Sequence, residues 1–207
     1  MSETLLREQW RALREWLDEA DVLAHGDRPT GLGAWSVSDL VAHLGLGLGM
    51  LIEITPAETG TEPMSFGQYV GYYPPAAEAI ATNTRELAAE LETDLLAGLD
   101  RIATQAFAGI EGVPWSVVLG RRGPLTYPDY LQTRLLELVV HGDDLARVVP
   151  EAGTSPVLGS AAVSIAATLA DAYEERAGRR PDLNDPVAWI RAAAGRTATD
   201  DSFLPLL

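Results

Sequence analysis

The stretch LLELVVHGDD, residues 135–144, places a carboxylate and an imidazole within an otherwise almost wholly apolar run. Glu137 and His141 are four residues apart, so on an α-helix both side chains leave the same face and can approach a common point. The chain has only three histidines, and one of them stands here. The other residues of this helix therefore indicate whether the pair is exposed to solvent or buried.

The helix around this pair is predicted to be apolar on more than one side. At about 100° per residue, its broad apolar stripe comprises Leu131, Leu135, Leu138, Val139, Gly142, Ala146 and Val149. The opposite polar strip comprises Tyr130, Arg134, Glu137, His141 and Asp144, with Leu136, Val140 and Leu145 on its flanks. Either this strip is the solvent-exposed face of an amphipathic helix, or it faces an internal cavity of a helical bundle.

Further helices are predicted on both sides of this one. The predicted helices are residues 2–24, a segment after Ser36, a long segment from about Pro75 with an interruption around Gly98, Pro128 to about Val149, residues 159–178, and a short segment begun by Pro186. Ser36 with Asp39 forms a capping-box pattern, which satisfies the free amides of a first helical turn. Glycines at 45, 47 and 49 indicate that this second helix either ends early or has a neighbour packed very close to it.

The segments between these helices carry little strand signal. Residues 55–75 are rich in proline, glycine and threonine and predict an irregular connection, and residues 113–119 predict a short strand or an extended crossing. We therefore predict an all-α protein, a four-helix bundle with a small helical C-terminal extension. Residues 1–150 are expected to form a metal-binding bundle domain and residues 151–207 the extension.

Composition excludes several classes of partner. Thirty acidic and fifteen basic residues give a formal net charge of −15, which disfavours nucleic acids and anionic membranes. The N-terminal residues carry charges throughout, and no apolar run approaches the ~20 residues of a membrane span, so we expect a cytoplasmic protein. The chain has no cysteine, so any thiol chemistry must use a thiol from outside.

A metal site at Glu137 and His141 needs a third ligand. His25 lies in a predicted turn, which leaves His43 in SDLVAHLGL as the only other helical histidine. His43 flanks an apolar stripe, and a lone histidine in such a position is more often a hydrogen-bonded core residue than a metal ligand. Together, His43, Glu137 and His141 would form the set of two histidines and one glutamate that catalytic zinc uses, although nickel, cobalt, iron and manganese accept the same donors.

Two motifs resemble those of a known family. WSVSDLVAHL (residues 35–44) and ELVVHGDDLAR (residues 137–147) resemble the paired motifs of the mycothiol-dependent maleylpyruvate isomerase family, which belongs to the DinB-like four-helix superfamily. DPVAWIRAAAGR (residues 185–196) is similar to the closing segment of many members. Asp143 stands where the family usually has an aromatic residue, which places a charge beside the expected site. Asp144 keeps the family's acidic residue, and we expect it to have a structural role, either as a cap or by holding a neighbouring backbone amide, and not a catalytic one.

The resemblance implies a divalent metal on His43, Glu137 and His141, most simply zinc, and an external thiol such as mycothiol as the cofactor. A cation lowers the pKa of a thiol from about 8.5 and yields a reactive thiolate. We therefore expect transfer of the thiol to a small electrophile, or isomerisation of that electrophile. Arg134, Arg191 and Arg196 are candidates for holding a carboxylate of thiol or substrate.

Other functions remain open at this stage. A metal-dependent hydrolase would use the same ligands, but Glu137 would then be unavailable as a base. A non-catalytic ligand-binding or stress-related bundle could keep the pocket without the chemistry. The helix of Trp10 and Trp16, or the ends of the bundle, could pair two subunits in a homodimer.

Overall fold

A computed structural model describes residues 3–207 of the chain. Within that range the protein forms eight α-helices: α1 (Glu3–Glu19), α2 (Val37–Gly49), α3 (Phe66–Val70), α4 (Tyr73–Glu90), α5 (Leu95–Gly109), α6 (Tyr127–Val148), α7 (Gly159–Ala177) and α8 (Pro186–Ala193). Three short strands form one small antiparallel sheet: β1 (Thr55–Pro56), β2 (Val117–Gly120) and β3 (Gly123–Thr126). The predicted all-α class is therefore confirmed, with a minor sheet added.

Four helices close into a bundle around the apolar core. α6 packs against α1 and α2, and α2 packs against α5. α1 and α5 are joined by an ion pair, with Arg14 Nε 2.8 Å from Asp100 Oδ1. The largest buried side chains include Leu6, Leu40 and Leu99, one from each of three bundle helices. Burial of such leucines, at about 1.5–3 kcal/mol each, is the main contribution to the stability of this arrangement.

α4 and α7 lie outside this four-helix core. α4 packs mainly against α2 and buries only Thr84 completely. α7 packs against α6, and α8 packs against α7. Gln9 of α1 links the extension to the bundle, because its amide donates to the carbonyl of Pro156 at 3.0 Å and accepts from the amide of Leu158 at 2.9 Å.

The start of α2 confirms the predicted capping box. The hydroxyl of Ser36 accepts from the backbone N–H of Asp39 at 3.1 Å, and the Asp39 carboxylate accepts from the N–H of Ser36 at 2.9 Å. The helix then continues through all three glycines to Gly49. A Cβ at Gly45 would lie 3.5 Å from Leu99 and Ile102, which is ordinary van der Waals contact. Neither an early end nor an unusually close neighbour is therefore observed at Gly45.

Two predicted boundaries were wrong, and the predicted interruption of the third helix lies somewhat earlier than Gly98. The first helix ends at Glu19, because Asp21 takes a left-handed backbone conformation (φ 45°) and a separate 3-10 turn follows at Val22–His25. The connection at residues 55–75 contains β1 and the short helix α3. The long third helix is two helices, and the break lies before Gly98, where the Asp94 carboxylate caps α5 by accepting from the amide of Ala97.

The segment after α5 forms a hairpin. β2 and β3 pair in register from Val117 with Thr126 to Gly120 with Gly123. Thr126 ends β3 and also caps α6, because its hydroxyl accepts from the amide of Asp129 at 3.2 Å. The hairpin thereby sets the start of the helix that carries Glu137 and His141. Of the two expectations for residues 113–119, the strand is the one observed.

The described helices include no membrane span. Among residues 3–207, none combines the length and the apolar character that crossing a lipid bilayer requires.

Candidate metal centre

His43, Glu137 and His141 meet at one point between α2 and α6. Glu137 Oε2 lies 3.4 Å from His43 Nε2 and 3.3 Å from His141 Nε2. All three donor atoms lie within 4.8 Å of one another. A tetrahedral zinc with bonds near 2.1 Å separates its ligands by about 3.4 Å, so this set has the spacing of a metal site. The residues chosen from the sequence therefore come together in the fold.

A hydrogen bond on the far nitrogen orients each imidazole. His43 Nδ1 lies 3.1 Å from the hydroxyl of Thr84 on α4, and His141 Nδ1 lies 3.1 Å from Asp144 Oδ2. If Nδ1 carries the proton in both rings, each Nε2 keeps its lone pair turned toward Glu137. Such outer hydrogen bonds fix the tautomer and the ring orientation of metal-binding histidines. Asp144 thus contacts the side chain of His141 rather than a backbone amide.

The polar strip of α6 does not meet bulk water. Tyr130, Arg134, His141 and Asp144 are buried, and the side chain of Glu137 is 14% exposed. Of the two interpretations of this strip, the internal cavity is the one the fold supports. His43 is buried as well, with 7% of its surface exposed.

Burial and neighbouring charges set different protonation states for the three groups. Burial lowers the pKa of His43, although a hydrogen bond to Glu137 opposes the shift. For His141 burial also disfavours the charged form, but hydrogen bonds to Asp144 and Glu137 outweigh it and raise its pKa. Burial would raise the pKa of Glu137, yet hydrogen bonds with His141 and His43 hold it well below its usual range. Glu137 is therefore a carboxylate throughout the neutral pH range.

Arg134 is a buried cation next to Glu137. It lies one turn before Glu137, and its guanidinium donates to the carbonyl of Gly47 at 3.2 Å and to the hydroxyl of Tyr73 at 3.2 Å. Its positive charge also contributes to the low pKa of Glu137. α2 contacts Glu137 at Gly47, because a Cβ at Gly47 would lie 3.7 Å from the Glu137 Cβ.

The other two arginines predicted to bind a cofactor carry ion pairs to α6. Arg191 donates two hydrogen bonds of 2.7 Å to the carboxylate of Asp143. Arg196 donates to Asp144 at 3.0 Å from Nη2. Asp143 therefore faces the C-terminal extension. A role of Arg134, Arg191 or Arg196 in holding a cofactor remains a prediction.

A cavity of about 540 Å³ opens over the three donor atoms. Its walls are mainly apolar and come from the loop before α2, from α4 and from α6; they include Leu32, Ala34, Ile80, Leu136 and Val140. Tyr73, Arg85 and Arg196 are its main polar groups outside the donor set. The volume suits a small organic molecule.

Several residues at the site were not predicted from the sequence. Trp35 covers both imidazoles, with its ring centroid 4.7 Å from that of His43 and 6.4 Å from that of His141. Thr84 and Tyr73 come from α4, whose sequence pattern shows no chemical motif. The position of Trp35 at the start of the WSVSDLVAHL motif was the one available signal.

The donor set fits a divalent metal on the chemistry of its own residues. Two imidazole nitrogens with fixed orientation and one carboxylate would supply three ligands, the number that protein side chains supply in catalytic zinc sites. Arg134 balances the charge of Glu137 from the side away from the cavity. The same donors also suit nickel, cobalt, iron and manganese.

Comparison with known proteins identifies one family. The family model described as the mycothiol maleylpyruvate isomerase N-terminal domain matches residues 6–146, more than half of the chain. No curated protein and no solved structure matches the chain. The matched range contains His43, Glu137 and His141 and ends close to the expected domain boundary. The chain therefore belongs to the mycothiol maleylpyruvate isomerase N-terminal domain family, whose fold is DinB-like.

Proposed function

We propose that this protein is a metal-dependent enzyme that activates an external low-molecular-weight thiol, such as mycothiol, and transfers it to a small electrophile or isomerises that electrophile. The observation that carries the proposal is the convergence of His43 Nε2, Glu137 Oε2 and His141 Nε2 at the base of a mainly apolar cavity. Family membership supports thiol chemistry of the isomerase type.

The residues of the chain have distinct roles in this proposal. His43, Glu137 and His141 hold the metal, for which zinc is our first choice. A divalent cation bound there would lower the pKa of a thiol and so supply a thiolate at neutral pH. Asp144 and Thr84 keep the two imidazoles in place, and residues 151–207 support Asp144 through Arg196. We therefore propose that residues 1–150 form the metal-binding domain and that residues 151–207 form a supporting extension.

The cavity walls narrow the class of electrophile. Leucine, isoleucine, alanine and valine side chains favour a substrate with an apolar body, because they offer no hydrogen bonds to a dicarboxylate. Arg85 on the cavity wall uses its Nε to donate to the carbonyl of Ala81, and its terminal nitrogens could receive one anionic group. We therefore propose an electrophile with a largely apolar body.

The experiment combines metal analysis with turnover. Wild type, His43→Ala, His141→Ala and the control His25→Ala are purified, and their metal content is measured by mass spectrometry. His25 contacts Arg28 outside the site, so this control should keep about one divalent ion per chain, whereas the two site variants should lose it. Mycothiol consumption with a panel of electrophiles should follow metal content.

Two results would contradict the proposal. Retention of metal in both site variants would exclude the ligand set. A metal-loaded wild type that binds small molecules yet consumes no thiol with any electrophile would favour the non-catalytic bundle instead. A metal-dependent hydrolase would cleave its substrate without thiol, although Glu137 as a ligand leaves it without the general base that we would expect.

A further inference from the structure

Tyr73 stands on the wall of the cavity above the candidate metal ligands. Its hydroxyl oxygen accepts a hydrogen bond from Arg134 Nη2 at 3.2 Å. Arg134 is buried and lies three residues before Glu137 on α6, so the phenol lies beside the helical turn that carries the central carboxylate. Tyr73 thus lies between the cavity and the buried guanidinium of Arg134.

The proton of this hydroxyl has no acceptor among the described residues. Arginine only donates hydrogen bonds, so the contact with Arg134 uses a lone pair of the Tyr73 oxygen and leaves its O–H free. Among residues 3–207, the hydroxyl makes no hydrogen bond other than this one. Burial raises the pKa of Tyr73, so the hydroxyl keeps its proton at neutral pH.

The phenol ring is held in a fixed position. The guanidinium carbon of Arg122 lies 4.6 Å from the centroid of the Tyr73 ring, and Tyr69 meets the same ring edge-on at 6.4 Å. A hydroxyl that accepts from a cation becomes a stronger donor, because the two hydrogen bonds polarise each other. A preorganised donor of this kind stabilises negative charge that develops on an oxygen during reaction.

We infer that Tyr73 is a catalytic residue that donates a hydrogen bond to the carbonyl oxygen of a conjugated, mainly apolar carbonyl substrate. This inference rests on the proposed thiol chemistry, and it specifies that the electrophile is a conjugated carbonyl compound. The sulfur forms a bond to the β-carbon, the pair of the carbon–carbon double bond forms a new double bond between the α-carbon and the carbonyl carbon, the carbonyl pair moves to the oxygen, and the thiol proton leaves to water. In transfer, the α-carbon then takes a proton from water. In isomerisation, the carbon–sulfur bond breaks after rotation, the electron pair returns to the double bond, and the thiol regains a proton from water.

The first test compares Tyr73→Phe with Tyr72→Phe. Tyr72 is the neighbouring residue and is 51% exposed, so it controls for loss of a phenol hydroxyl outside the cavity. Tyr73→Phe should lower kcat for addition of mycothiol to an apolar conjugated ketone by about 100-fold, with KM and metal content unchanged. Tyr72→Phe should match wild type in all three. A kcat of Tyr73→Phe equal to that of wild type overturns the inference.

The second test needs no turnover and so separates this inference from the proposed function. Octan-2-one labelled with ¹³C at the carbonyl is an unreactive analogue that can be added to the metal-free protein. Its bound carbonyl resonance should move downfield in wild type and in Tyr72→Phe, but not in Tyr73→Phe. An identical resonance in all three, or no binding to wild type, overturns the inference. A wild type that shows this shift but consumes no thiol would overturn only the proposed reaction.

Discussion

The two histidines of the site are held by different kinds of partner. Nδ1 of His141 is hydrogen-bonded to the charged carboxylate of Asp144, whereas Nδ1 of His43 is hydrogen-bonded to the neutral hydroxyl of Thr84. A carboxylate partner makes an imidazole more basic, and a hydroxyl mainly fixes its orientation. The orientation of His43 therefore depends on α4, the helix that also forms a wall of the cavity.

Removal of the Thr84 hydroxyl should weaken metal binding without unfolding the protein. Thr84→Val keeps the shape of this fully buried side chain but leaves His43 Nδ1 without its partner. We expect metal affinity to fall about 10- to 100-fold. Titration with a competing chelator measures it. Thr104→Val on exposed α5 surface is the control, and an equal affinity in both variants would show that Thr84 does not orient the ligand.

The pKa shifts of the histidines predict how protons compete with the metal. In the metal-free protein, His141 should keep its proton to a higher pH than an ordinary histidine, and His43 should lose its proton at a lower pH. Metal affinity should therefore fall as pH falls through the raised pKa of His141, since the metal must displace that proton. NMR titration of the imidazole nitrogens tests this order, and zinc should abolish both transitions. Parallel titration of the two rings would contradict it.

At the scale of the residue, the sequence identified the three side chains that come together in the fold, His43, Glu137 and His141, but not Thr84 and Tyr73 beside them. Glu137 and His141 share one helix, and their spacing alone places them together. His43 was found because few histidines were available and because its motif resembled that of a family. Thr84 and Tyr73 lie on a separate helix with no local pattern, so only tertiary packing brings them to the site.

Two glycines show how helix packing follows from side-chain volume. Gly45 lies in the middle of α2, where a Cβ would meet its neighbours at ordinary contact distance. Gly98 lies in the first turn of α5, where a Cβ would lie 2.6 and 2.8 Å from the Leu91 methyl carbons. Leu91 is buried at the break between α4 and α5, so Gly98 makes room for this turn of the chain.

Alanine at these two glycines should act in opposite directions. Gly45→Ala should raise the free energy of unfolding by about 0.5–1 kcal/mol, because glycine is a poor helix former. Gly98→Ala should lower it by about 1–3 kcal/mol through overpacking against Leu91. Urea denaturation measures both variants. Destabilisation by Gly45→Ala would mean that the space between α2 and α5 is tighter than its distances indicate.

Local signals predicted the elements with strong periodicity or caps. The capping box at Ser36 and the long periodic pattern of α6 were both confirmed. A strand at β2 was one of the two expectations for residues 113–119, whereas β3 and α3 were missed because four- and five-residue elements carry too few positions for a period to emerge. The interruption predicted around Gly98 lies between Glu90 and Leu95, because the Asp94 carboxylate caps α5 there.

On the scale of the molecule, charge pairs join the C-terminal extension to the bundle. Asp143 and Asp144 are buried on α6, and each is paired with an arginine from the last part of the chain. Sequence alone placed Arg191 and Arg196 near the end of the chain but could not show these pairings, since the partners are about fifty residues away. The fold class itself was predictable from the helix pattern and was confirmed.

Loss of one of these pairs should destabilise the whole protein. Arg191→Ala leaves the buried Asp143 carboxylate without its two hydrogen bonds and should lower the free energy of unfolding by about 2 kcal/mol. Arg180→Ala removes an arginine that also has two acidic partners but lies at the surface, where solvent screens the charges, so it should destabilise the protein less than Arg191→Ala does. Thermal and urea unfolding compare the two. Equal losses of stability in the two variants would mean that the ion pair of Arg191 with Asp143 does not hold the C-terminal extension to the bundle.

The indole of Trp35, which lies beside both imidazoles, gives the protein an intrinsic fluorescence signal. A paramagnetic ion such as Co²⁺ or Cu²⁺ held by those rings would sit close enough to quench the emission of Trp35. The chain has five tryptophans, so the change would be a fraction of the total, and Trp35→Phe would identify that fraction. Occupancy of the site could then be followed in real time on unlabelled protein.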